Sequence, residues 1–478
     1  MHKLGLEAEF IFLRRDGSAT TRKDILGVWN YFIQKGWKEK RDPYNNELLG
    51  VKRQTKYGPL IMDNDGSAIL LEVAWPPYPD LGILKREVRA LIRDLNSYCG
   101  EKYRIIGYGC APFIKEGTPA LTPKGYYSTL LKLVRGAKPM WPFYICGALQ
   151  VNIGGTLPEL LRAYNTFAAL TGIFFALGAN ASMYDNKRTR YRDVRGHAYD
   201  ALGPYLKKGY HVTTGIPEQP FRSWKEYFLD LLSRPGHLLT IGDHIVEVLD
   251  PAPLIEVLRS NKPIRVREVP KTYFASSAEK KEYERTRTRI IHLEARDIGL
   301  IQSLCWRDDR LKFAFQPEVD TKHFVKAIQS SAGTFEKFLE KNLSNAYVEI
   351  RPVALQQPND FLALPAFALG IMQNLSAAEV YIKKYPWSFW RELRTAAYTK
   401  GVQASLGHIP ITKLLLPVCQ IAEQGLKDRA MHEEKLLAPL YERIEKQYTP
   451  ADVAERIFVQ QGKKAFLEAL TFAPEKIY

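Results

Sequence analysis

The candidate β-strand at the start of this chain alternates acidic and apolar residues. In Lys3–Phe12, Glu7 and Glu9 share one face, and the intervening Leu6 and Ala8 lie on the other, because successive strand residues point to opposite sides. Such a strand can bury only one of its faces. The pattern therefore restricts the chain to a fold whose sheet has one apolar and one polar face.

Later candidate strands repeat this pattern. Gln150 lies beside Asn152 on one face of a second strand, and Glu349 lies beside Arg351 on one face of a third. Glu72 interrupts a fourth strand that is otherwise apolar. Several separate β-segments are therefore predicted to contribute polar and acidic side chains to one sheet.

Asp65 lies seven residues before Glu72, in an Asn64–Ser67 turn that predicts a hairpin. Carboxylates gathered on one sheet repel one another and are costly to desolvate, so such a cluster persists where cations neutralise it. Oxygen-only ligand sets suit Mg²⁺ or Mn²⁺, and magnesium held by carboxylates usually also binds substrate phosphates. We therefore predict a sheet that handles metal ions and phosphate groups. A solvated polar face is the alternative, and it is the commoner explanation for any single glutamate on a strand.

No glycine-rich phosphate-binding loop accompanies these acids. The sequence contains neither G-x-x-x-x-G-K-[ST] nor G-x-G-x-x-G after a strand. An ATP-using enzyme without such a loop must hold the phosphates with metal ions and basic side chains. The segment 187–195, which contains Arg188, Arg190 and Arg192, is the natural candidate. A solvated basic turn is the alternative.

The order of the elements predicts an α+β fold. Strand and hairpin signals dominate the early part of the chain, whereas the part from Phe361 onward is mainly helical. Hairpins, rather than strict strand–helix alternation, favour an antiparallel sheet over a doubly wound fold. The apolar segment Phe167–Met183 contains Thr171, Asn180 and two glycines, which favours a buried core helix over a membrane span.

Charge and cysteine content exclude or demote other classes. The formal net charge is +16, but Lys and Arg are scattered, so a nucleic-acid-binding protein is an alternative rather than the favoured class. The five cysteines lie far apart without a Cys-x-x-Cys pair. This spacing argues against a zinc site or a disulfide scaffold and predicts a cytoplasmic protein.

Motifs along nearly the whole chain resemble the glutamate–cysteine ligase family, in its plant and proteobacterial branch. Each motif is short, and their shared order makes the resemblance specific. Other branches carry His where Gln150 stands. The matching segments are Gly5–Phe10, Asp65 with Glu72, Thr122–Tyr127, Leu149–Asn152, Ala176–Ser182, Tyr347–Arg351, Leu364–Gly370, Ala422–Arg429 and Tyr448–Ala451.

The resemblance implies a glutamine-synthetase-like fold, an antiparallel β-sheet funnel with surrounding helices, and a ligase that uses ATP with Mg²⁺ or Mn²⁺. Such an enzyme activates the γ-carboxylate of glutamate as an acyl phosphate and joins it to an amine. Cysteine, as in glutathione biosynthesis, is the favoured acceptor, and a different amine is the alternative. We expect Glu7, Glu9, Asp65, Glu72 and Glu349 to bind metal, Arg190, Arg192, Gln150 and Asn152 to bind substrate, Arg188 and Lys124 to bind ATP, and Arg351 and Glu349 to act in catalysis.

We expect residues 1–380 to form the catalytic domain and 381–478 a helical region packed on it. Residues 200–345 match the family poorly and are expected to hold the acceptor pocket. Glu294 and Arg296 also resemble the Glu349–Arg351 pattern, but the Leu-Pro-Ala-Phe continuation follows only the latter. The expected partners are small molecules, with no membrane, and the oligomeric state is not predicted. A catalytically inactive relative is a further alternative, against which the full set of acids argues.

Overall fold

The fold is described from a computed structural model of the chain. The structure describes residues 2–43, 45–115, 117–124, 127, 141–206, 213–241, 244–269, 281–282, 285, 287–298 and 305–477. A helix predicted to run from Pro123 to Val134 falls almost wholly outside these residues.

One large antiparallel sheet organises the described residues. Its nine strands follow the order β16-β17-β7-β1-β5-β4-β3-β2, and β6 pairs with the far end of β1. The remaining strands form small sheets, of which β11-β12-β13-β14 is the largest. In chain order the strands are β1 (Leu4–Arg14), β2 (Lys38–Arg41), β3 (Leu48–Thr55), β4 (Gly58–Asn64), β5 (Leu70–Tyr78), β6 (Tyr103–Ile106), β7 (Leu149–Gly154), β8 (Met183–Tyr184), β9 (Lys187–Arg188), β10 (Thr213–Gly215), β11 (Leu238–Ile241), β12 (His244–Val248), β13 (Ile264–Glu268), β14 (Thr288–Ile291), β15 (Cys305–Arg307), β16 (Asp309–Phe315), β17 (Leu343–Ile350), β18 (Ser405–Leu406) and β19 (Ile409–Pro410).

Helices occupy much of the rest of the chain and dominate after residue 360. The predicted α+β class with an antiparallel sheet is therefore confirmed. In the described residues the helices are α1 (Arg22–Gln34), α2 (Leu81–Cys99), α3 (Trp141–Ile145), α4 (Leu157–Gly178), α5 (Val194–Asp200), α6 (Trp224–Leu232), α7 (Leu254–Ser260), α8 (Thr321–Gln329), α9 (Ala332–Asn342), α10 (Ala363–Gln373), α11 (Leu375–Ile382), α12 (Trp387–Lys400), α13 (Thr412–Lys427), α14 (Ala438–Lys446) and α15 (Pro450–Leu470).

The apolar side of β1 faces the helices. Leu6, Ala8 and Phe10 are fully buried, as their alternation predicts. The Phe10 ring stacks on Phe361 and meets Phe472 edge-on, with ring centroids 5.8 and 5.0 Å away. These contacts tie the first strand to segments more than 340 residues later in the chain and leave the acidic side of β1 facing away from the core.

Helix α4 is the apolar segment whose burial the sequence predicts. Thr156 and Glu159 form a capping box at its start, which satisfies the first free N–H groups of the helix. It is long and apolar enough to cross a membrane, but 89% of its most apolar window is buried inside the protein. The prediction of a core helix is confirmed.

Helices α10 and α13 cross at a pair of glycines. A Cβ added to Gly425 would lie 2.1 Å from the carbonyl oxygen of Gly370, so the two backbones touch. This contact packs the C-terminal helices onto the part of the chain that carries the sheet. The exact boundaries expected at residues 380 and 381 remain a prediction.

Candidate functional site

Four acidic side chains from three segments of the chain lie on the same side of the large sheet. Glu9 lies opposite Glu72 in the pairing of β1 with β5, and Glu7 lies opposite Gln150 in the pairing of β1 with β7. Glu349 lies opposite Asn152 in the pairing of β17 with β7. We call this side, which carries Glu7, Glu9, Glu72 and Glu349, the acidic face.

Three of these carboxylates converge closely. One oxygen atom from each of Glu7, Glu9 and Glu72 lies within 4.8 Å of the others. Two further groups fix Glu9, because the Ala148 N–H and the Gln150 side-chain amide each donate a hydrogen bond of 2.9 Å to its carboxylate. Gln150 therefore contacts the acidic face through Glu9, and its expected role in substrate binding remains a prediction.

Repulsion and burial dominate the ionisation of the three converging carboxylates. Burial, followed by repulsion from Glu72, Glu349 and Glu9, raises the pKa of Glu7 well above its ordinary value. Burial and the charge of Asp65 raise the pKa of Glu9 to about 7 and also raise the pKa of Glu72. Buried carboxylates that repel one another are stabilised by a divalent cation, and an all-oxygen ligand set suits Mg²⁺ or Mn²⁺. The residues present therefore fit the predicted metal.

The acids at the margins of the acidic face already have cationic partners. Asp63, which lies opposite Glu72 on β4, pairs with Lys40. Lys124 donates a hydrogen bond of 2.7 Å to Asp65, and Tyr127 donates another. The structure therefore places Lys124 at the site, but on a carboxylate. Sequence reasoning did not identify Asp63 or Lys40, since nothing local marks them as neighbours of Glu72.

The neighbouring Lys124 and Tyr127 keep Asp65 ionised. Burial acts to raise its pKa, but the Lys124 ammonium and the hydrogen bonds from Lys124 and Tyr127 lower it to about 2. Asp65 is therefore ionised at neutral pH, and its charge acts on Glu9 and Glu72. Its predicted role as a metal ligand remains a prediction.

Glu349 is neutralised by two arginines. Arg310 and Arg351 donate hydrogen bonds of 2.5 and 3.1 Å to the same carboxylate oxygen. Burial alone would raise the pKa of Glu349, but these arginines and Lys312 lower it well below its ordinary value. Arg351 also donates to the side-chain oxygen of Gln150 at 2.6 Å, so it bridges Glu349 to the centre of the acidic face.

The second candidate for this strand is excluded. Glu294 and Arg296 pair with each other at 2.6 Å, and their side chains are 46% and 53% exposed. Glu294 immediately precedes a short helical turn and Arg296 lies within it, so neither is on a strand of the large sheet. The assignment of the active-site strand to Glu349 and Arg351 is the one the geometry supports.

The predicted arginine cluster does not reach the acidic face, and its side chains have other partners. Arg188 and Arg192 both pair with Glu455 on α15, the latter at 2.7 Å, and Arg192 also pairs with Asp452. Arg190 donates to the Tyr191 hydroxyl at 2.6 Å. In the described residues none of these three arginines contacts an acid of the acidic face. The expected ATP-binding role of Arg188 and the substrate-binding roles of Arg190 and Arg192 gain no support from this geometry.

Arg195, which sequence reasoning missed, lies next to the acids instead. It is 4% exposed at the start of α5, and its charge partly offsets the burial that raises the pKa of both Glu9 and Asp193. Its guanidinium donates to the Val353 carbonyl at 3.3 Å. The available signal was its place at the end of the basic segment 187–195, where Asp193 can cap a helix that begins at Val194.

Strand β16 contributes two further cations that the sequence analysis did not identify. Arg310 lies opposite Glu349, and Lys312 lies opposite Tyr347. In the described part of the chain Lys312 has no carboxylate within ion-pair distance, although Glu349 and Glu7 attract it. Their alternate spacing in Arg310-Leu311-Lys312 was the available signal, but β16 falls within residues 200–345, which resemble the family poorly.

A cavity of about 830 Å³ opens beside the acidic face. Gly5, Asn152 and Tyr347, from three adjacent strands, contribute to its wall, together with Trp75 and Thr156. Gly5 and Asn152 lie two residues from Glu7 and Gln150 and so share their side of the sheet. The cavity therefore adjoins the acidic face, although its lining includes none of Glu7, Glu9, Glu72 and Glu349.

Comparisons with known proteins agree with this architecture. Over 98% of its length the chain aligns with 87% of a glutamate–cysteine ligase from Francisella tularensis, solved in complex with AMP, with a TM-score of 0.53 and 12% identity. A bifunctional glutathione synthetase from Pasteurella multocida aligns with 98% of the chain and 51% of its own length, at 13% identity and a TM-score of 0.46 that is too low to bear on the fold. The fold is thus that of the class of enzymes to which glutamate–cysteine ligase belongs.

Sequence comparison then gives the family. The model of glutamate–cysteine ligase family 2 matches residues 62–453, so the chain belongs to this family. A protein of Rubrobacter xylanophilus with the provisional name glutamate–cysteine ligase 2-3 is 26% identical over 180 residues, which cover 36% of this chain and 45% of that relative. The chain thus matches less than half the length of this curated relative.

Proposed function

We propose that this protein is an ATP- and Mg²⁺-dependent ligase that joins the γ-carboxylate of glutamate to an amine. The observation that carries the proposal is the convergence of Glu7, Glu9 and Glu72 at the centre of the acidic face, where none of the three forms an ion pair with another described residue. The acids around them are already paired. A cluster of this kind costs stability unless it binds cations, so its presence calls for a function that uses them.

Glu7, Glu9 and Glu72 would hold the metal, with Asp65 and Glu349 at its margins. Bound Mg²⁺ would neutralise phosphate charge and stabilise a transferring phosphoryl group. The 830 Å³ cavity is large enough for the base and ribose of a nucleotide. In this arrangement Lys312, which lies between the cavity wall at Tyr347 and the pair Arg310–Glu349, binds the phosphates as a point charge.

Two arginines whose charges act on Glu9 would bind the amino acid. Arg195 and Arg351 border the same void of about 10 Å³, which places them close together, and both act on the ionisation of Glu9. Arg351 is the one that also contacts the pair Gln150–Glu349. We therefore assign Arg195 to the α-carboxylate of glutamate and Arg351 to the reacting γ-carboxylate and phosphoryl group.

The reaction then has two steps. The γ-carboxylate attacks the terminal phosphorus of ATP, the bond to ADP breaks, and an acyl phosphate forms. Arg351 screens the repulsion between these two anions and steadies the transferring group. The neutral amine of the acceptor then attacks the acyl carbon, phosphate leaves, and the amine loses a proton. Cysteine is the acceptor that the family resemblance predicts, and it remains a prediction.

Product analysis tests the proposal. The purified protein is incubated with ATP, Mg²⁺, glutamate and hydroxylamine, and both ADP and γ-glutamyl hydroxamate are quantified. We expect the two to form in equal amounts and only when glutamate and Mg²⁺ are both present. ADP formation that does not depend on glutamate, or no hydroxamate over a range of pH and metal concentrations, would refute it.

A further inference from the structure

Two buried cysteines lie against each other close to the acidic face. All five cysteines of the chain are buried free thiols. Cys110 and Cys146 belong to one core cluster, whereas Cys99, Cys305 and Cys419 belong to another. The fold therefore brings the first two together although they are distant in the sequence.

Backbone hydrogen bonds place these two cysteines directly opposite each other. The Ala111 N–H donates to the Ile145 carbonyl at 2.8 Å, and the Gly147 N–H donates to the Gly109 carbonyl at 3.1 Å. These bonds flank the two cysteines as they flank a non-hydrogen-bonded pair of antiparallel strands, in which opposite Cα atoms lie about 4.5 Å apart. A disulfide spans Cα atoms about 4.4–6.8 Å apart, so the backbone has the spacing that a bond between the two sulfur atoms requires.

The side chains of the pair are also in position. A hydrogen bond with the Cys146 thiol, together with burial, raises the pKa of the Cys110 thiol well above its ordinary value. Cys110 is fully buried, whereas Cys146 is 7% exposed. A small oxidant therefore reaches Cys146 first, and Cys110 is the neighbour that closes the bond.

The segment that follows Cys146 holds one of the three converging carboxylates. The Ala148 N–H donates to the Glu9 carboxylate, and the Ala148 carbonyl accepts from the Glu9 N–H, both at 2.9 Å. A Cβ added to Gly147 would lie 2.3 Å from the Glu9 carbonyl oxygen, so the two backbones touch. A movement of Cys146 toward Cys110 therefore shifts the groups that hold Glu9.

We propose that Cys110 and Cys146 are a redox modification site, at which hydrogen peroxide forms a reversible disulfide that displaces Glu9 and lowers both Mg²⁺ binding and activity. The Cys146 thiolate attacks one peroxide oxygen, the O–O bond breaks, and a sulfenic acid forms. The other oxygen leaves as water with the proton that the thiol released. The Cys110 sulfur then attacks the Cys146 sulfur, the S–O bond breaks, and a second water leaves as the S–S bond forms. The two thiols together lose two electrons, which reduce the peroxide to water.

The bond acts on the site because it shortens the distance between two packed segments. Bonded sulfur atoms lie about 2.05 Å apart, much closer than two thiols joined by a hydrogen bond. The Ala148 N–H therefore moves relative to the Glu9 carboxylate, and the three converging carboxylates lose their arrangement. The disulfide itself is independent of the proposed function, whereas its effect on activity rests on that function.

Peroxide treatment of the purified protein tests the proposal. Reduced protein is treated with hydrogen peroxide, the remaining thiols are alkylated, and disulfide-linked peptides are quantified by mass spectrometry. We expect Cys110–Cys146 to be the main disulfide, hydroxamate formation to fall at least fivefold, and dithiothreitol to restore the reduced, active protein. Absence of this disulfide would overturn the proposal, as would a disulfide that leaves both Mg²⁺ binding and activity unchanged.

Variants locate the effect. Cys110→Ala and Cys146→Ala should each keep their activity after the same peroxide treatment, because neither can close the bond. Cys99→Ala, which removes a buried cysteine of the other core cluster, should be inactivated like the unmodified sequence. Thermal denaturation of the reduced variants verifies that each is folded. Inactivation of both Cys110→Ala and Cys146→Ala by peroxide would overturn the assignment.

A measurement without catalysis separates this proposal from the proposed function. The increase in Tm on adding Mg²⁺ should be smaller for the oxidised than for the reduced protein at the same pH. Hydroxamate formation by the reduced protein, without a Cys110–Cys146 disulfide after peroxide, refutes only the redox site. A disulfide that diminishes the Mg²⁺ effect, in a protein that forms no hydroxamate when reduced, refutes the proposed function and supports the redox site.

Discussion

Glu9 lies directly opposite Glu72 in the antiparallel pairing of β1 with β5. Like charges at such a position destabilise a sheet, and here both carboxylates are also removed from water. A sequence under selection for stability alone would not keep this pair. We therefore infer that the pair marks a place where stability is given up for the proposed ion binding.

Replacing Glu9 should separate stability from activity. Glu9→Gln removes one of the repelling charges, so at pH 8 we expect the metal-free protein to gain about 1–3 kcal/mol in free energy of unfolding. The same change should lower Mg²⁺-dependent ADP formation at least a hundredfold. Thermal denaturation in EDTA and a coupled ADP assay measure the two effects. Glu101→Gln, at an exposed carboxylate, is the control, and a Glu9→Gln variant with normal activity would contradict the metal assignment.

The stability of the metal-free protein should depend on pH in a defined direction. The pKa of Glu9 is about 7 in the folded protein, against an ordinary value of 4.5. Between these pH values the folded state binds more protons than the unfolded state, so stability falls as the pH rises through this window.

Magnesium should reverse this loss, because it binds the ionised carboxylates. We expect the increase in Tm on adding Mg²⁺ to be larger at pH 8 than at pH 6, and apparent affinity to rise up to about tenfold per pH unit for each proton displaced. Differential scanning calorimetry with and without Mg²⁺ measures both trends. A Mg²⁺ effect that is independent of pH would mean that these carboxylates do not bind the ion.

Arg195 and Arg192 should behave differently when each is changed to lysine. Lysine cannot reproduce the paired hydrogen bonds of a guanidinium, so Arg195→Lys should raise the KM for glutamate at least tenfold. Arg192→Lys, whose side chain pairs with Glu455 and Asp452, should leave this KM within about twofold. Steady-state kinetics with glutamate as the varied substrate decides between them. The reverse result would restore the substrate-binding role that the sequence predicted for Arg192.

Lys312 should control nucleotide affinity. Burial and the charge of Arg310 lower the pKa of Lys312 to about 8, so it carries its charge over most of the neutral range. Lys312→Gln should raise the KM for ATP about tenfold, and Lys312→Arg should recover most of the loss because the positive charge returns. Lys326→Gln, at an exposed position on α8, is the matched control. Direct measurement of nucleotide binding by calorimetry would contradict the assignment if Lys312→Gln bound ATP normally.

Arg443 should be essential for stability rather than for chemistry. It is fully buried on α14 and donates to the Leu177 carbonyl and to Asp360, both at 2.6 Å. Arg443→Ala leaves these groups without their partner and should cost about 3 kcal/mol or more in free energy of unfolding. Lys446→Ala breaks an exposed pair with Glu442 on the same helix and should cost less than about 1 kcal/mol. Urea denaturation of the two variants makes the comparison.

The sequence alone determined which side chains share a face of each strand. The alternation in β1, β7 and β17 is local, because every residue's side is set by its immediate neighbours along the chain. For that reason the sequence pattern by itself assigns Glu7, Glu9, Gln150 and Glu349 to polar faces. The hairpin between β4 and β5 was equally local and placed Asp65 near Glu72.

Only the tertiary structure decided which of these residues meet, and which cations reach them. The register that sets Glu9 opposite Glu72 and Arg310 opposite Glu349 joins segments far apart in the chain. That Arg195 rather than Arg192 lies beside Glu9 likewise depends on the direction in which α5 leaves the preceding loop. It also depends on Glu455, which pairs with Arg192 although it lies 263 residues further along the chain. Such pairings depend on the packing of the whole chain, and no local pattern encodes them.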